Sequence, residues 1–237
     1  MQNRPQPPQS EAELWSRARE FVGMTLAELA AIDGCAVPER MLHGKGFTGQ
    51  LLERLLGATA GSRDEPDFQT LGVELKTIPV DPGGRPCEST FVCTIPLYDV
   101  AVTEWENSRV HRKLCRVLWM VIEGSREIPV ARRRVGSPLL WSPSSEENAS
   151  LKRDWDELAG LIGAGHIESI TGHLGQALQV RPKARNAQAR RIGFDETGVA
   201  VAQLPRGFYL RASFTGGILQ RSFVMPRRQR DVLNREP

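Results

Sequence analysis

Residues 71–78 (Leu-Gly-Val-Glu-Leu-Lys-Thr-Ile) alternate with the period of two that marks a β-strand, and the alternation carries two opposite charges on one face. Val73, Leu75 and Thr77 point one way; Glu74, Lys76 and Ile78 point the other. Positions i and i+2 of a strand lie about 6.6 Å apart, so Glu74 and Lys76 project side by side. A face bearing both is an odd choice for a purely hydrophobic sheet. Asp67, preceded by Pro66, sits at the entrance of this sheet and brings a second carboxylate to the same end. Neighbouring carboxylates repel, which raises a pKa or recruits a cation. Mg²⁺, a hard ion that prefers oxygen ligands, suits this pair better than zinc, since no histidine or thiolate lies nearby in the sequence. Lys76 adds a compact positive charge able to hold an attacking water or steady a pentavalent phosphate. The same E-x-K spacing also arises from an ordinary ion pair. Glu53, on the helix just upstream with Gly49 and Gly57 four residues to either side, is a third carboxylate for the site or a plain boundary residue of an amphipathic helix.

The strand follows helices. Ser10-x-x-Glu13 and Thr25-x-x-Glu28 read as capping boxes, the first ahead of Leu14, Trp15, Ala18, Phe21 and Val22, the second opening a short helix to about Ile32. Leu51, Leu52, Leu55 and Leu56 form one face of a third helix that ends at Gly57, and residues 57–66 read as loop. Beyond the strand, Asp81-Pro82-Gly83-Gly84 is a turn, and residues 90–95 are expected to return as its hairpin partner. A basic helix is expected over 106–116, a buried strand over 117–122, a linker over 136–143 and a helix opened by Ser144-x-x-Glu147 with a Leu151/Trp155/Leu158/Ile162 stripe. Residues 178–180 and 207–210 read as short strands. The order of elements predicts an α/β (mixed α+β) chain with a central mixed sheet flanked by helices. Residues 1–9, rich in Gln and Pro, read as a flexible tail, 10–225 as one two-lobed domain, and 226–237 as a flexible basic tail.

Charge points to a partner. Net charge is only +3, yet residues 181–230 hold eleven Lys/Arg against Asp195 and Glu196, and residues 109–134 hold eight against Glu123 and Glu127. Such blocks suit a phosphate backbone, and equally a solvated face. The 40% hydrophobic content excludes a disordered chain, no apolar run is long enough to span a membrane, and the polar N-terminus carries no secretory signal, so the cytosol is the expected compartment. The four cysteines, Cys35, Cys87, Cys93 and Cys115, show no metal-binding spacing. Of 31 Lys/Arg only Lys45, Lys76, Lys113, Lys152 and Lys183 are lysines. A GC-rich coding sequence would explain the bias, and lysines that survive it are then expected to mark places where a guanidinium cannot replace an ammonium.

Pro66-Asp67 with Glu74-Leu75-Lys76 resembles the PD-(D/E)XK nuclease signature. The flanking blocks are more specific: residues 45–53 (Lys-Gly-Phe-Thr-Gly-Gln-Leu-Leu-Glu), 71–80, 134–143 (Arg-Val-Gly-Ser-Pro-Leu-Leu-Trp-Ser-Pro), 181–184 (Arg-Pro-Lys-Ala) and 204–210 (Leu-Pro-Arg-Gly-Phe-Tyr-Leu). In this order, between about Leu14 and Phe223, they resemble the MutH family of DNA mismatch repair endonucleases. The resemblance implies a restriction-endonuclease-like fold whose two lobes form a DNA-binding cleft. It implies an Mg²⁺-dependent enzyme, monomeric by itself, that hydrolyses one phosphodiester by in-line attack. The cut falls before the G on the unmethylated strand of hemimethylated GATC sites, and MutL, recruited by MutS, activates it. Asp67, Glu74 and Glu53 would be metal ligands and Lys76 the residue acting on water or phosphate. Lys45 and Lys113 would approach the DNA near the cut, while Arg181, Lys183 and Tyr209 would face the recognition bases, Tyr209 near the adenine whose methylation is sensed. The rival expectations are a type II restriction endonuclease of the same fold that cuts both strands, and a catalytically silent DNA- or MutL-binding protein.

Overall fold

The computed structural model describes residues 5–39, 46–61, 63–95, 100, 103–183 and 190–223. Three helices open the chain: α1 (Glu11–Glu20), α2 (Leu26–Asp33) and α3 (Phe47–Leu56). Thr25 and Glu28 form a complete capping box on α2. On α1 only half of the expected box forms: Ser10 accepts from the Glu13 amide, while the Glu13 carboxylate reaches past Ser10 to the Gln9 amide. Gly57 ends α3 with φ +82, and a Cβ there would also press on the carbonyl oxygen of Gln6, so a glycine is required twice over. Residues 5–9, expected as tail, lie against α1 and α3: Pro8 is buried and Arg17 donates to the Gln6 carbonyl at 2.7 Å.

The first sheet has the order β1–β3–β4, with β1 (Glu74–Val80) parallel to β3 (Val117–Glu123) and β4 (Val135–Trp141) antiparallel to it. Strand β3 is apolar from Val117 to Ile122 because both of its faces are covered. Val117 and Trp119 enter one hydrophobic core; Leu118, Met120 and Ile122 enter another, with α1, α2 and α3. Residues 136–143, expected as a linker because of Gly136-Ser137-Pro138, are largely β4. It is an edge strand, where a missing proline N–H is tolerated, and a register shift opposite Met120/Ile122 accommodates the Gly-Ser-Pro run.

The second sheet has the order β2–β8–β5, antiparallel throughout: β2 (Thr90–Thr94), β5 (Leu178–Pro182) and β8 (Arg206–Leu210). The expected hairpin between β1 and residues 90–95 is therefore not formed. The turn at 81–84 closes and a single Val80–Pro86 bridge follows. Pro79 and Pro86 then withhold donors where a ladder would propagate, and β2 pairs with β8 instead. The basic helix is shorter than expected: a 3₁₀ turn at Trp105–Asn107, then α4 (Arg109–Leu114) capped by Ser108. α5 (Ser145–Gly163) has the complete Ser144/Glu147 box and buries its predicted stripe. Two elements carried no clear signal: the small hairpin β6 (Arg191–Phe194) with β7 (Ala200–Gln203), and α6 (Ala212–Phe223), interrupted in sequence by Gly216-Gly217. No helix among the described residues is long and apolar enough to cross a membrane. The expected mixed α/β architecture is what the chain adopts.

Candidate functional site

Glu74 begins β1, where its amide donates to the Arg116 carbonyl and the parallel register sets it beside Val117. Its side chain is buried, at 2% exposure for the residue, yet both carboxylate oxygens have cationic partners. Lys76 donates to Oε1 from the same strand face, as the spacing predicts, and Lys113 donates to Oε2 at 2.9 Å from α4. Lys113 also donates to the Glu65 carbonyl at 3.0 Å, which ties α4 to the loop before Asp67. Asp67 is buried, and its Oδ2 accepts from the Leu75 amide at 2.8 Å. One carboxylate thus holds the loop against the first residues of β1, so Asp67 and Glu74 share one end of the strand.

Electrostatics join Glu53 to this group. Burial and then the repulsion of Asp67 push its carboxyl up to about 7, with Glu74 adding to the rise and Lys76 and Lys113 opposing it. Among the described residues no donor hydrogen-bonds its carboxylate. A Cβ on Gly49 would come within 3.9 Å of Glu53 Oε1, so the glycine leaves this oxygen open space. Asp67 is also raised, by burial and then by Glu74. Burial works against the charge of Lys76, but Glu74 outweighs it and the ammonium is held above its usual range. Asp67, Glu74, Lys76, Lys113 and Glu53 therefore form one coupled cluster.

No group of three or more His, Cys, Asp or Glu side chains among the described residues is arranged to hold a metal ion, and both oxygens of Glu74 are taken by lysines. The donor set nevertheless fits a hard cation: carboxylate oxygens only, mutual repulsion among three of them, and Glu53 without a donor. Cys93, beside Lys76 in this region, is a buried thiol pushed up to about 12, chiefly by burial, so it adds no thiolate. All four cysteines are free.

The remaining candidates gather on the second sheet. One face of β2–β8–β5 supplies Val92, Leu178, Val180, Phe208 and Leu210 to the core. The other carries Gln179, Arg181 and Lys183 in sequence alternation, with Tyr209 directly opposite Gln179 and Phe91 opposite Tyr209. Arg181 and Lys183 are exposed. The Lys183 ammonium lies 3.0 Å from the centroid of the Phe91 ring, and Phe91 meets Tyr209 edge-on at 5.3 Å. Partial burial and the charge of Lys76 lower the Lys183 amine to about 8, and burial raises the Tyr209 phenol. Gly207 makes the arrangement possible, since a Cβ there would come within 2.8 Å of the Phe91 ring. Phe91 and Ser89, which accepts from Gln179 at 2.8 Å and Arg181 at 3.1 Å, were missed in the sequence because residues 90–95 were expected beside β1. Their signal was the period-two alternation of Ser89 and Phe91 against Val92. Lys45 lies outside the described residues. Lys152 pairs with Asp156 one turn along α5.

This geometry offers a buried, lysine-buttressed carboxylate cluster for charge chemistry and an exposed cationic–aromatic face for binding a polyanion. A family model described as DNA mismatch repair enzyme MutH matches residues 56–154, a span that includes Asp67, Glu74, Lys76 and Lys113. The chain is 51% identical over 221 residues to the DNA mismatch repair protein MutH of Serratia proteamaculans, covering 93% of this chain and 97% of the relative. It is 52% identical over 219 residues to the DNA mismatch repair protein MutH of Escherichia coli O6:K15:H31, covering 92% and 96% respectively.

Proposed function

Because the chain belongs to the MutH family of DNA mismatch repair enzymes and is thereby a DNA endonuclease, we propose that it nicks the unmethylated strand at hemimethylated GATC sites, as a monomer activated by MutL. The observation that carries the reading is the Glu74 carboxylate, buried and gripped by two lysines beside Asp67 and Glu53. Asp67, Glu74 and Glu53 would hold Mg²⁺. Bound there, the cation would supply charge neutralisation at the scissile phosphate and a lowered pKa for attacking water.

The chain's own residues do the rest. Asp67 fixes the loop to β1 through the Leu75 amide, so the carboxylates keep their spacing during turnover. Lys76 and Lys113, which hold Glu74, are the cations this low-dielectric site would offer to the anionic phosphate. Lys76, on the strand itself, orients the attacking water or steadies the phosphate. Lys113, anchored to the Glu65 carbonyl, restrains the DNA beside the cut, with Lys45 as a second such contact. Arg181, Lys183 and Tyr209 face the bases, where lysine and tyrosine donate to edge acceptors and an N6-methyl group on adenine adds bulk and removes a donor.

The test is cleavage of unmethylated, hemimethylated and fully methylated GATC duplexes with Mg²⁺, with and without MutL. A single nick before the G on the unmethylated strand, faster with MutL and absent from fully methylated DNA, is the expected result. Double-strand breaks by the isolated protein would assign it to restriction cleavage instead. Binding without any Mg²⁺-dependent cutting would make it a silent DNA-binding protein.

A further inference from the structure

The apolar stripe of α5 contains one carboxylate. Asp154 lies between Leu151 and Leu158 on the helix and is 3% exposed. No lysine, arginine or histidine among the described residues pairs with it. Its Oδ2 instead accepts from three consecutive backbone amides, Gln176 at 2.8 Å, Ala177 at 2.6 Å and Leu178 at 2.8 Å. A buried carboxylate held only by backbone amides fixes the main chain that supplies them, because any displacement leaves a charge uncompensated.

The carbonyls of the same segment are held from the opposite side. Arg211, between β8 and α6, donates to the carbonyls of Gly172 at 2.7 Å, Leu174 at 2.8 Å and Gly175 at 2.8 Å, and its amide donates to the Ala177 carbonyl at 2.9 Å. Gly175 has φ +78, and a Cβ at that position would overlap the Leu178 carbonyl. The segment 172–178 is thus clasped through donors and acceptors at once, and its last residue is the first of β5.

That position sets what β5 presents. Leu178 pairs with Leu210, after which Gln179 falls opposite Tyr209 and Arg181 opposite Gly207. Strand side chains alternate, so a slip of one residue would turn Arg181 and Lys183 toward the core and Val180 toward solvent. The connection from β5 to β8 runs through residues 183–205, too long for a tight turn to set the register. We propose that Asp154, with Arg211, is a positioning residue for DNA recognition: the clasp holds the register that points Arg181 and Lys183 at the bases. The proposal rests on the assignment of this face to base recognition made above.

The experiment measures nicking kinetics and equilibrium binding of the full chain on a hemimethylated GATC duplex and on one with a single altered base pair. The variants are Asp154→Ala, Asp154→Asn, Lys183→Ala and the Asp154→Ala/Lys183→Ala pair. Asp154→Ala is expected to raise KM on the cognate duplex about tenfold, with kcat changed less than about twofold and affinity for the altered duplex unchanged. Asp154→Asn keeps an oxygen acceptor but loses the charge, so it should raise KM on the cognate duplex by a smaller factor of about threefold. The double variant should discriminate no worse than the poorer single one, because both remove the same contact. Lys183→Ala must itself reduce discrimination; if it does not, the recognition assignment falls, whatever Asp154 does. If Lys183→Ala reduces discrimination while Asp154→Ala leaves it intact, or lowers kcat and affinity for both duplexes together, the positioning role is overturned. Should Asp154→Ala fail to fold, Asp154→Asn decides: it must raise KM on the cognate duplex alone, and a uniform loss or no change refutes the clasp.

Discussion

The two three-stranded sheets place their charges in opposite ways. In β1–β3–β4 both faces are covered, and the charges that remain are driven together: Glu74 against Lys76 and Lys113, with Asp67 and Glu53 close enough to shift one another's protonation. In β2–β8–β5 one face is core and the other leaves Arg181 and Lys183 exposed beside the Phe91 and Tyr209 rings. Desolvation strengthens every electrostatic interaction in the first sheet, which suits bond breaking. Accessibility in the second suits reading a large polyanion whose contacts must form and dissolve. On the roles proposed above, burial is what separates chemistry from recognition, and substitutions on the two sheets should then separate the kinetic constants accordingly.

The largest effect is expected at Glu74. Removing it leaves Lys76 and Lys113 without their common anion, so Glu74→Ala should abolish Mg²⁺-dependent nicking, a loss of about a thousandfold or more. DNA affinity in a filter or anisotropy assay should hold or rise, because two half-buried cations are freed. Retained nicking would merge the two sheets' roles. Lys76→Ala comes next, with turnover down about a hundredfold and affinity within a few-fold. A parallel fall in affinity would make Lys76 a binding residue and erase the contrast.

A smaller effect follows from Glu53. In the fold its carboxyl holds its proton up to about 7, whereas in the unfolded chain it ionises near the ordinary glutamate value of 4.5. Between those values the folded state binds more protons, so the metal-free protein should lose stability as pH rises through that window. Thermal melts in chelator should show this slope, flattened in Glu53→Gln. An unchanged slope in the variant would remove Glu53 from the cluster. The smallest effect belongs to Lys152, paired at the surface with Asp156: Lys152→Arg should leave nicking unchanged, whereas Lys76→Arg should not, because a planar guanidinium cannot take the place of a compact ammonium. An equal response would end the idea that lysine scarcity marks chemistry.

Much of the first sheet was legible in the sequence because period-two alternation and helix caps are local signals. The shared face of Glu74 and Lys76 follows from spacing alone, and so does the α3 helix that carries Glu53 up to Gly57. The partnership of Lys113 with Glu74 was not legible, since it spans 39 residues and depends on where α4 packs. The second sheet was the harder region. Its strands are visible in the sequence, yet the partner of β2 is not, because adjacency favours a hairpin with β1 and the prolines that end it act only in three dimensions. The position of Phe91 depends on that pairing. Gly-Ser-Pro concealed β4 for the same reason: its tolerance depends on being an edge, a property of the assembled sheet.

The division between the sheets is tested most directly by single-turnover nicking of Lys76→Ala and Lys183→Ala, side by side, on a hemimethylated GATC duplex and on one with an altered base pair. With protein in saturating excess, Lys76→Ala should slow cleavage of the cognate duplex while keeping its preference over the altered one. Lys183→Ala should cleave the cognate duplex at nearly the original rate and lose that preference by about tenfold or more. Both variants losing rate and preference in the same proportion would contradict the separation of chemistry from recognition.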